Sequence, residues 1–342
     1  MGKSSIEVIP GDMMDYMFNS THHHIDYHIL TIGWCQWITI VGLNFAAGMA
    51  TLATLTKSRT FSRSTSLMLR ALLVSDILSS IFFLFYDTYQ LTMSLTGTVI
   101  RMTTFTCYCW SSMQWFFIGY TTMMTFVLSV DRLIAMTAPT FYEATFSGYR
   151  RHFVVLPLII NSVIYFLSFF DTFEPKELEY CTVRASSGKY YRTLFGLICF
   201  ILNLATSVTY CTMFVIVQSE YRKPPNGPGS SKINNLEEIK AARAKKLAHI
   251  LAFSCLCYSL TSLVQSILMT VLILWFPKTL ATYGLLTGWL SSMDSIIIFC
   301  SFFFFMRDFR RSIKRRFFNT GNRVEPTRTL HTVHLNNGVL PH

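Results

Sequence analysis

Seven apolar runs, each about twenty residues long or longer, divide this 342-residue chain, at roughly 29–56, 66–94, 104–130, 153–170, 191–218, 247–276 and 281–306. A helix rising about 1.5 Å per residue needs about twenty such residues to cross about 30 Å of hydrocarbon. The expected fold class is therefore an all-α membrane protein, a seven-transmembrane helix bundle. Composition agrees, because 51% hydrophobic, 15% aromatic and 14% charged residues are too apolar for a soluble domain of this length. A net charge of +11 would suggest nucleic acid in a soluble protein. Here its placement along the chain points to a lipid bilayer, and no nucleic-acid partner is expected.

That placement gives the orientation. Lys57, Arg59, Arg63 and Arg70 lie around the first inner loop, and Arg132, Arg150 and Arg151 follow the third run. A third group runs from Arg222 to Lys246, and a fourth follows the seventh run. The other side holds only Lys3, Arg101, Lys176, Arg184, Lys189, Arg192 and Lys278. By the positive-inside rule the amino terminus is outside and the carboxyl terminus inside. No removable signal peptide is evident, so the first run is expected to act as the anchor. Asn19-Ser20-Thr21 is then a glycosylation sequon on the outer face.

Four segments follow. Residues 1–28 form an outer tail, 29–306 the seven-span domain, 307–318 an amphipathic membrane-surface helix and 319–342 a polar, disordered cytoplasmic tail. In the third segment Phe309, Ile313 and Phe317 recur at four-residue spacing, with Arg310, Arg311, Lys314 and Arg315 alongside, a pattern suited to an anionic inner leaflet. "HHHIDYH" in the outer tail is a poor metal site, because three successive histidines do not converge easily on one ion. Among nine cysteines, Cys199, Cys211, Cys255, Cys257 and Cys300 fall inside spans and read as small packed hydrophobes. Cys107 and Cys109 fall at the outer end of the third run, and Cys181 in the outer loop before the fifth. A bridge from either to Cys181 would pin that loop over the bundle.

These spans, the outer amino terminus, and Cys107 followed 25 residues later by Arg132 resemble the rhodopsin-like G protein-coupled receptors, whose Asp/Glu-Arg-Tyr motif is here Asp131-Arg132-Leu133. About 1.5 Å per residue over that interval is roughly 37 Å, which would set the two residues at opposite membrane faces. The resemblance favours Cys107 over Cys109 as the partner of Cys181. Asn44 and, within "LLVSDIL", Asp76 match further family positions. Thr121 should share their depth, and Asp294-Ser295 falls near the family's Asn-rich motif. The resemblance thus implies a buried polar cluster of Asn44, Asp76, Thr121 and Asp294 holding water, a shared proton or a sodium ion at Asp76. Two acids in one low-dielectric cluster do not both ionise without a cation.

The chain also departs from that family. "FSCLCYSLTS" puts Cys257 and Ser259 where the toggle tryptophan and kink proline would stand, and the seventh run lacks Asn-Pro-x-x-Tyr. A narrower resemblance is to nematode serpentine chemoreceptors of the Sra and Sre type. These show Glu-Arg-x-x-Ala-Thr, with Tyr-Glu eleven residues after the first Glu. Here Asp131-Arg132-Leu133-Ile134-Ala135 is followed by Tyr142-Glu143 at that spacing, with Met136 in place of Thr.

What the resemblance implies is a plasma-membrane chemosensory receptor. Arg132 would meet a heterotrimeric G protein and be held at rest by Asp131 and, across the bundle, by Glu237 or Glu238. A small-molecule or peptide ligand would bind between the outer halves of the third, fifth, sixth and seventh spans, lined by Gln114, Trp115, Ile118, Thr261, Gln265 and Trp289. Gln114 stands where aminergic receptors carry an acid, which disfavours a biogenic amine, and a seventh run without lysine excludes a retinal Schiff base. Two alternatives are a neuropeptide receptor and a ligand-gated seven-span channel of opposite topology. Gly-x-Gly-Asp, Gly-x-Ser-Gly and His-Glu-x-x-His are all absent, so no enzyme, no catalytic residue and no cofactor beyond sodium is expected.

Overall fold

The computed structural model describes residues 27–57, 63–96, 102–142, 149, 151–170, 177–178, 181, 186, 189–221 and 289–318, together with parts of 250–271. Asn19, Glu237 and Glu238 lie outside the described residues, as do residues 1–26 of the expected outer tail, whose last two residues belong to the first helix, all of the expected cytoplasmic tail, and the side chain of Trp289. The helices are α1 (Tyr27–Lys57), α2 (Arg63–Thr96), α3 (Thr104–Thr137), α4 (His152–Phe170) and α5 (Lys189–Tyr221). Each contains a stretch long and apolar enough to cross a membrane. The described residues of the sixth run are helical.

The seventh run is interrupted. A 3₁₀ turn, Trp289–Ser292, is followed by Met293 at φ −98° and ψ 7°, and α6 (Asp294–Phe305) begins there. The break puts Asp294 in the first turn of a helix, where backbone N–H groups and the helix dipole favour an acid. After Met306 the chain continues as α7 (Arg307–Ile313) and a π-helical turn, Lys314–Phe318.

Large apolar side chains cover the outside of the bundle, while polar side chains are buried beside an apolar core. On α4, Leu156, Ile159, Val163, Phe166 and Leu167 are exposed while Asn161 and Ser168 are buried. On α3 the buried set includes Ser111, Ser112, Gln114, Thr121, Thr122, Thr125 and Ser129. Exposed apolar rows of this extent suit lipid, not water. Because lipid tails are as apolar as leucine, association of the helices relies on close packing and interhelical hydrogen bonds. Small residues make the closest approaches. A Cβ on Gly48 would stand 2.9 Å from Ser295 Oγ, and one on Gly119 would stand 2.5 Å from Asn161 Oδ1.

Neighbours in sequence pack together, α1 on α2 and α2 on α3, and α3 also meets α4 and α5 while α6 returns to α1. The core at one end gathers Leu55, Met68, Leu69, Leu72, Met124, Leu128, Tyr210 and Phe302. Phe309 and Ile313, two members of the stripe expected to face the leaflet, join this core, with the Phe309 ring 5.6 Å from that of Phe302. Arg316 Nη1 donates to the Ala53 carbonyl at 2.5 Å, and Arg70 Nη2 to the Leu55 carbonyl at 3.2 Å. Both cations thereby meet the carbonyl end of α1, where the helix dipole is negative.

Candidate functional site

Polar contacts occur at three levels along α2 and α3. The outermost begins with Thr103, whose Oγ1 accepts from Thr106 N–H at 3.2 Å and so caps the start of α3. Just before it, β1 (Met102–Thr103) pairs antiparallel with β2 (Glu177–Leu178), bringing the outer loop to this end of the bundle. Cys107 and Cys181 are disulfide-bonded across it with their Cα atoms 5.4 Å apart, while Cys109 is free and exposed. The Cys181 carbonyl accepts twice from α2, from the Tyr86 hydroxyl and from Gln90 Nε2 at 2.9 Å. Those two residues are one turn apart, a spacing that could have been noticed in the sequence. Their target, a backbone carbonyl 91 or more residues away, carries no sequence signal.

The middle level centres on Asp76. Asn44 Nδ2 donates to Asp76 Oδ2 at 2.9 Å and lies 3.2 Å from Ser80 Oγ, while the Ile296 N–H donates to Asn44 Oδ1 at 3.1 Å. Asn44 therefore ties α1 to α2 and α6 together. It is the hydroxyl of Ser295 that meets the Asp76 carboxylate. Thr121 is engaged one step away, donating to Ser75 Oγ at 3.0 Å, and Ser75 donates to the Phe117 carbonyl at 3.1 Å. A narrow pocket with room for about one water is lined by Asn44, Asp76, Ser79, Ser80, Phe83, Ile118, Thr121, Ser292 and Asp294. The four residues expected to form the polar cluster all border this one space. Ser75 and Ser80 were not anticipated, and Ser295, noted beside Asp294, was not placed in the cluster, since serine in an apolar helix often only satisfies its own backbone.

The inner level lies at the far end of α3. Asp131 Oδ2 accepts from Arg132 Nε at 2.9 Å and from Arg132 Nη2, and the two form an ion pair. Tyr142 completes the group, donating to Asp131 Oδ1 at 2.8 Å and accepting from Arg132 Nη2 at 3.2 Å. Local chain chemistry explains how Tyr142 gets there. Pro139 disfavours the α conformation at the preceding residue, and Ala138 indeed leaves it at φ −138° and ψ 67°, ending α3. A single turn, Pro139–Phe141, then folds the chain back, with the Tyr142 N–H bonded to the Ala138 carbonyl at 2.9 Å. The Asp131 side chain is 1% exposed and that of Arg132 13%.

The expected pocket residues are distributed unequally. Ile118 lines the cavity and Gln114 is buried above it. Trp115 instead packs its ring 5.8 Å from Phe195 on α5, among Tyr108, Ile164, Phe169 and Cys199. Thr261 and Gln265 are half-buried on the sixth run. That run is joined to α5 by Asn203 Nδ2, which donates to Ser262 Oγ at 2.9 Å.

Apolar rows outside and a polar column inside define a multi-pass α-helical membrane protein. The chain belongs to the family described as serpentine type 7TM GPCR chemoreceptor Srsx, which matches residues 43–317. The match extends from α1 to the turn after α7 and includes all three polar levels. The serpentine chemoreceptor kinship expected from the Asp131-Arg132 and Tyr142-Glu143 stretch is thereby shown, with Srsx as the family. This is a family of receptors, not of enzymes. No curated protein matches the chain.

Proposed function

We propose that the protein is a chemosensory G protein-coupled receptor of the plasma membrane, with its amino terminus outside and its carboxyl terminus inside. An extracellular small molecule binds in the outer half of the bundle beneath the Cys107–Cys181 loop, near Gln114 and Ile118, with Trp115, Thr261, Gln265 and Trp289 as further candidates. A heterotrimeric G protein docks at the inner end of α3. The observation that carries this reading is the clasp of Asp131, Arg132 and Tyr142. It keeps a guanidinium folded onto its own helix, and an opening of the bundle would free that charge for a partner.

Glu238, at the approach to the sixth span, is proposed as a second restraint on Arg132. Asp76 is proposed to hold a sodium ion or water, supported by a cavity whose polar lining is carboxylate, hydroxyl and amide groups. The decisive experiment compares ligand-dependent second-messenger signalling of the natural receptor with Arg132→Ala in cells, at matched surface expression. Loss of signalling in the variant is expected. Current insensitive to Arg132 would instead indicate a channel.

A further inference from the structure

Asp87 plays no part in the three levels described above. It lies on α2, 1% exposed, and among the described residues nothing donates to its Oδ2. Gln114 on α3 is in the same position, 4% exposed with no donor to its Oε1. Burying a carboxylate oxygen and an amide oxygen without donors is costly in any protein and more so at membrane depth. Two such acceptors in one neighbourhood call for a donor from outside the chain's described residues.

The helix geometry puts them in one neighbourhood. Eleven residues are three turns within about 20°, so Asp87 continues the face of Asp76, and Gln114, seven residues before Thr121, continues the face of Thr121. Phe83 and Ile118, which line the cavity, are each one turn below them. The antiparallel register is fixed by Phe82 stacked on Phe117 at 5.7 Å and by Tyr89 against Trp110 at 5.9 Å. It sets Asp87 and Gln114 within a turn of the same depth. Above them is the outer loop, bound through the Cys181 carbonyl by Tyr86 and Gln90, which flank Asp87 in sequence.

We propose that Asp87, assisted by Gln114, is the recognition site for a cationic ligand group, an ammonium or a guanidinium, entering beneath the Cys107–Cys181 loop. A cation supplies both the N–H donors and the charge that this acceptor pair lacks. An alcohol supplies only the first, and an anion neither. Gln114 by itself disfavours an amine, and in this proposal Asp87 on α2 supplies the acid. The proposal rests on the receptor reading for its location, and its test separates the two.

Full-length receptor in lipid nanodiscs would be melted with ethylamine, isopentylamine or 2-phenylethylamine, each beside the alcohol of the same skeleton. At least one amine should raise the unfolding midpoint at roughly tenfold lower concentration than its alcohol. Asp87→Asn should erase that preference and Asp87→Glu keep it. Gln114→Glu, which adds a second carboxylate, should strengthen amine binding, so the question is decided even where Asp87→Asn fails to fold. The proposal is overturned by amines without effect on the natural receptor, by alcohols equal to amines, by an Asp87→Asn variant that still prefers amines, or by a Gln114→Glu variant with unchanged amine affinity. Amine binding without a second-messenger response in cells would leave the site standing and sink the signalling reading.

Discussion

The Tyr142 hydroxyl lies 2.8 Å from Asp131 Oδ1, although eleven residues along an unbroken helix would separate them by about 16 Å. The Ala138-Pro139 break makes the difference, and it converts a tyrosine in a loop into the third member of a buried ionic group. Hydrogen bonds to charged groups contribute about 1.5–3 kcal/mol, enough to bias a two-state equilibrium by tenfold or more.

Tyr142→Phe should therefore raise basal second-messenger output by roughly tenfold, while surface expression stays near that of the natural receptor. The ring and its packing remain, and only the hydroxyl is removed. Basal and agonist-driven outputs both equal to the natural receptor's would show that the clasp does not restrain signalling.

The Cys107–Cys181 bridge closes a separation of 74 residues and holds the outer loop together with Tyr86 and Gln90. Replacing either cysteine by alanine should cost about 2–4 kcal/mol and lower the unfolding temperature of the purified receptor. Cys109→Ala should leave it unchanged, because Cys109 is exposed and unbridged. A loss with Cys109→Ala equal to that with Cys107→Ala would contradict the assigned pairing.

Five apolar helices were legible because lipid imposes length and hydrophobicity on each residue run, and the boundaries agree to within a few residues apart from the inner end of α3. There the apolar pattern stops near position 130 while the helix runs on to Thr137, since intrahelical hydrogen bonds continue past the point where hydrocarbon ends. Asp76 was legible because an ionisable side chain in an apolar run is costly, and Asn44 and Asp294 through the resemblance to rhodopsin-like receptors. Ser75 and Ser80 were not, and Ser295 was noted only as the neighbour of Asp294, because serine often bonds its own helix, as Ser111 does to the Cys107 carbonyl at 2.7 Å. Gly288, directly before the 3₁₀ turn, was a sequence cue to the interruption at Met293 that went unread.

Glycines of the spans give an internally controlled stability test. At Gly48 a Cβ would press on Ser295 Oγ, which the Asp76 carboxylate holds in place, and on Ile77 Cγ1 at 3.0 Å. At Gly119 it would press on Asn161, anchored by donation to the Phe116 carbonyl at 2.8 Å. Gly48→Ala and Gly119→Ala should each destabilise the receptor by about 1–3 kcal/mol. Gly42→Ala and Gly196→Ala meet open space and should be neutral or stabilising by up to about 1 kcal/mol, from helix propensity alone. Thermal unfolding of all four variants checks the packing of α1 on α6 and of α3 on α4. Equal effects at all four positions would contradict it.

The proposed orientation makes its own prediction through Asn19. A sequon is glycosylated only where the chain faces the lumen during synthesis, so Asn19-Ser20-Thr21 reports the side occupied by the amino terminus. The receptor from animal cells should run faster on a gel after glycosidase treatment, and Asn19→Gln should run at the treated position without treatment. An epitope tag at the carboxyl terminus should stain only in permeabilised cells, as the basic inner loops require. Staining of that tag on intact cells would reverse the topology, placing Arg132 outside and favouring the seven-span channel over the receptor.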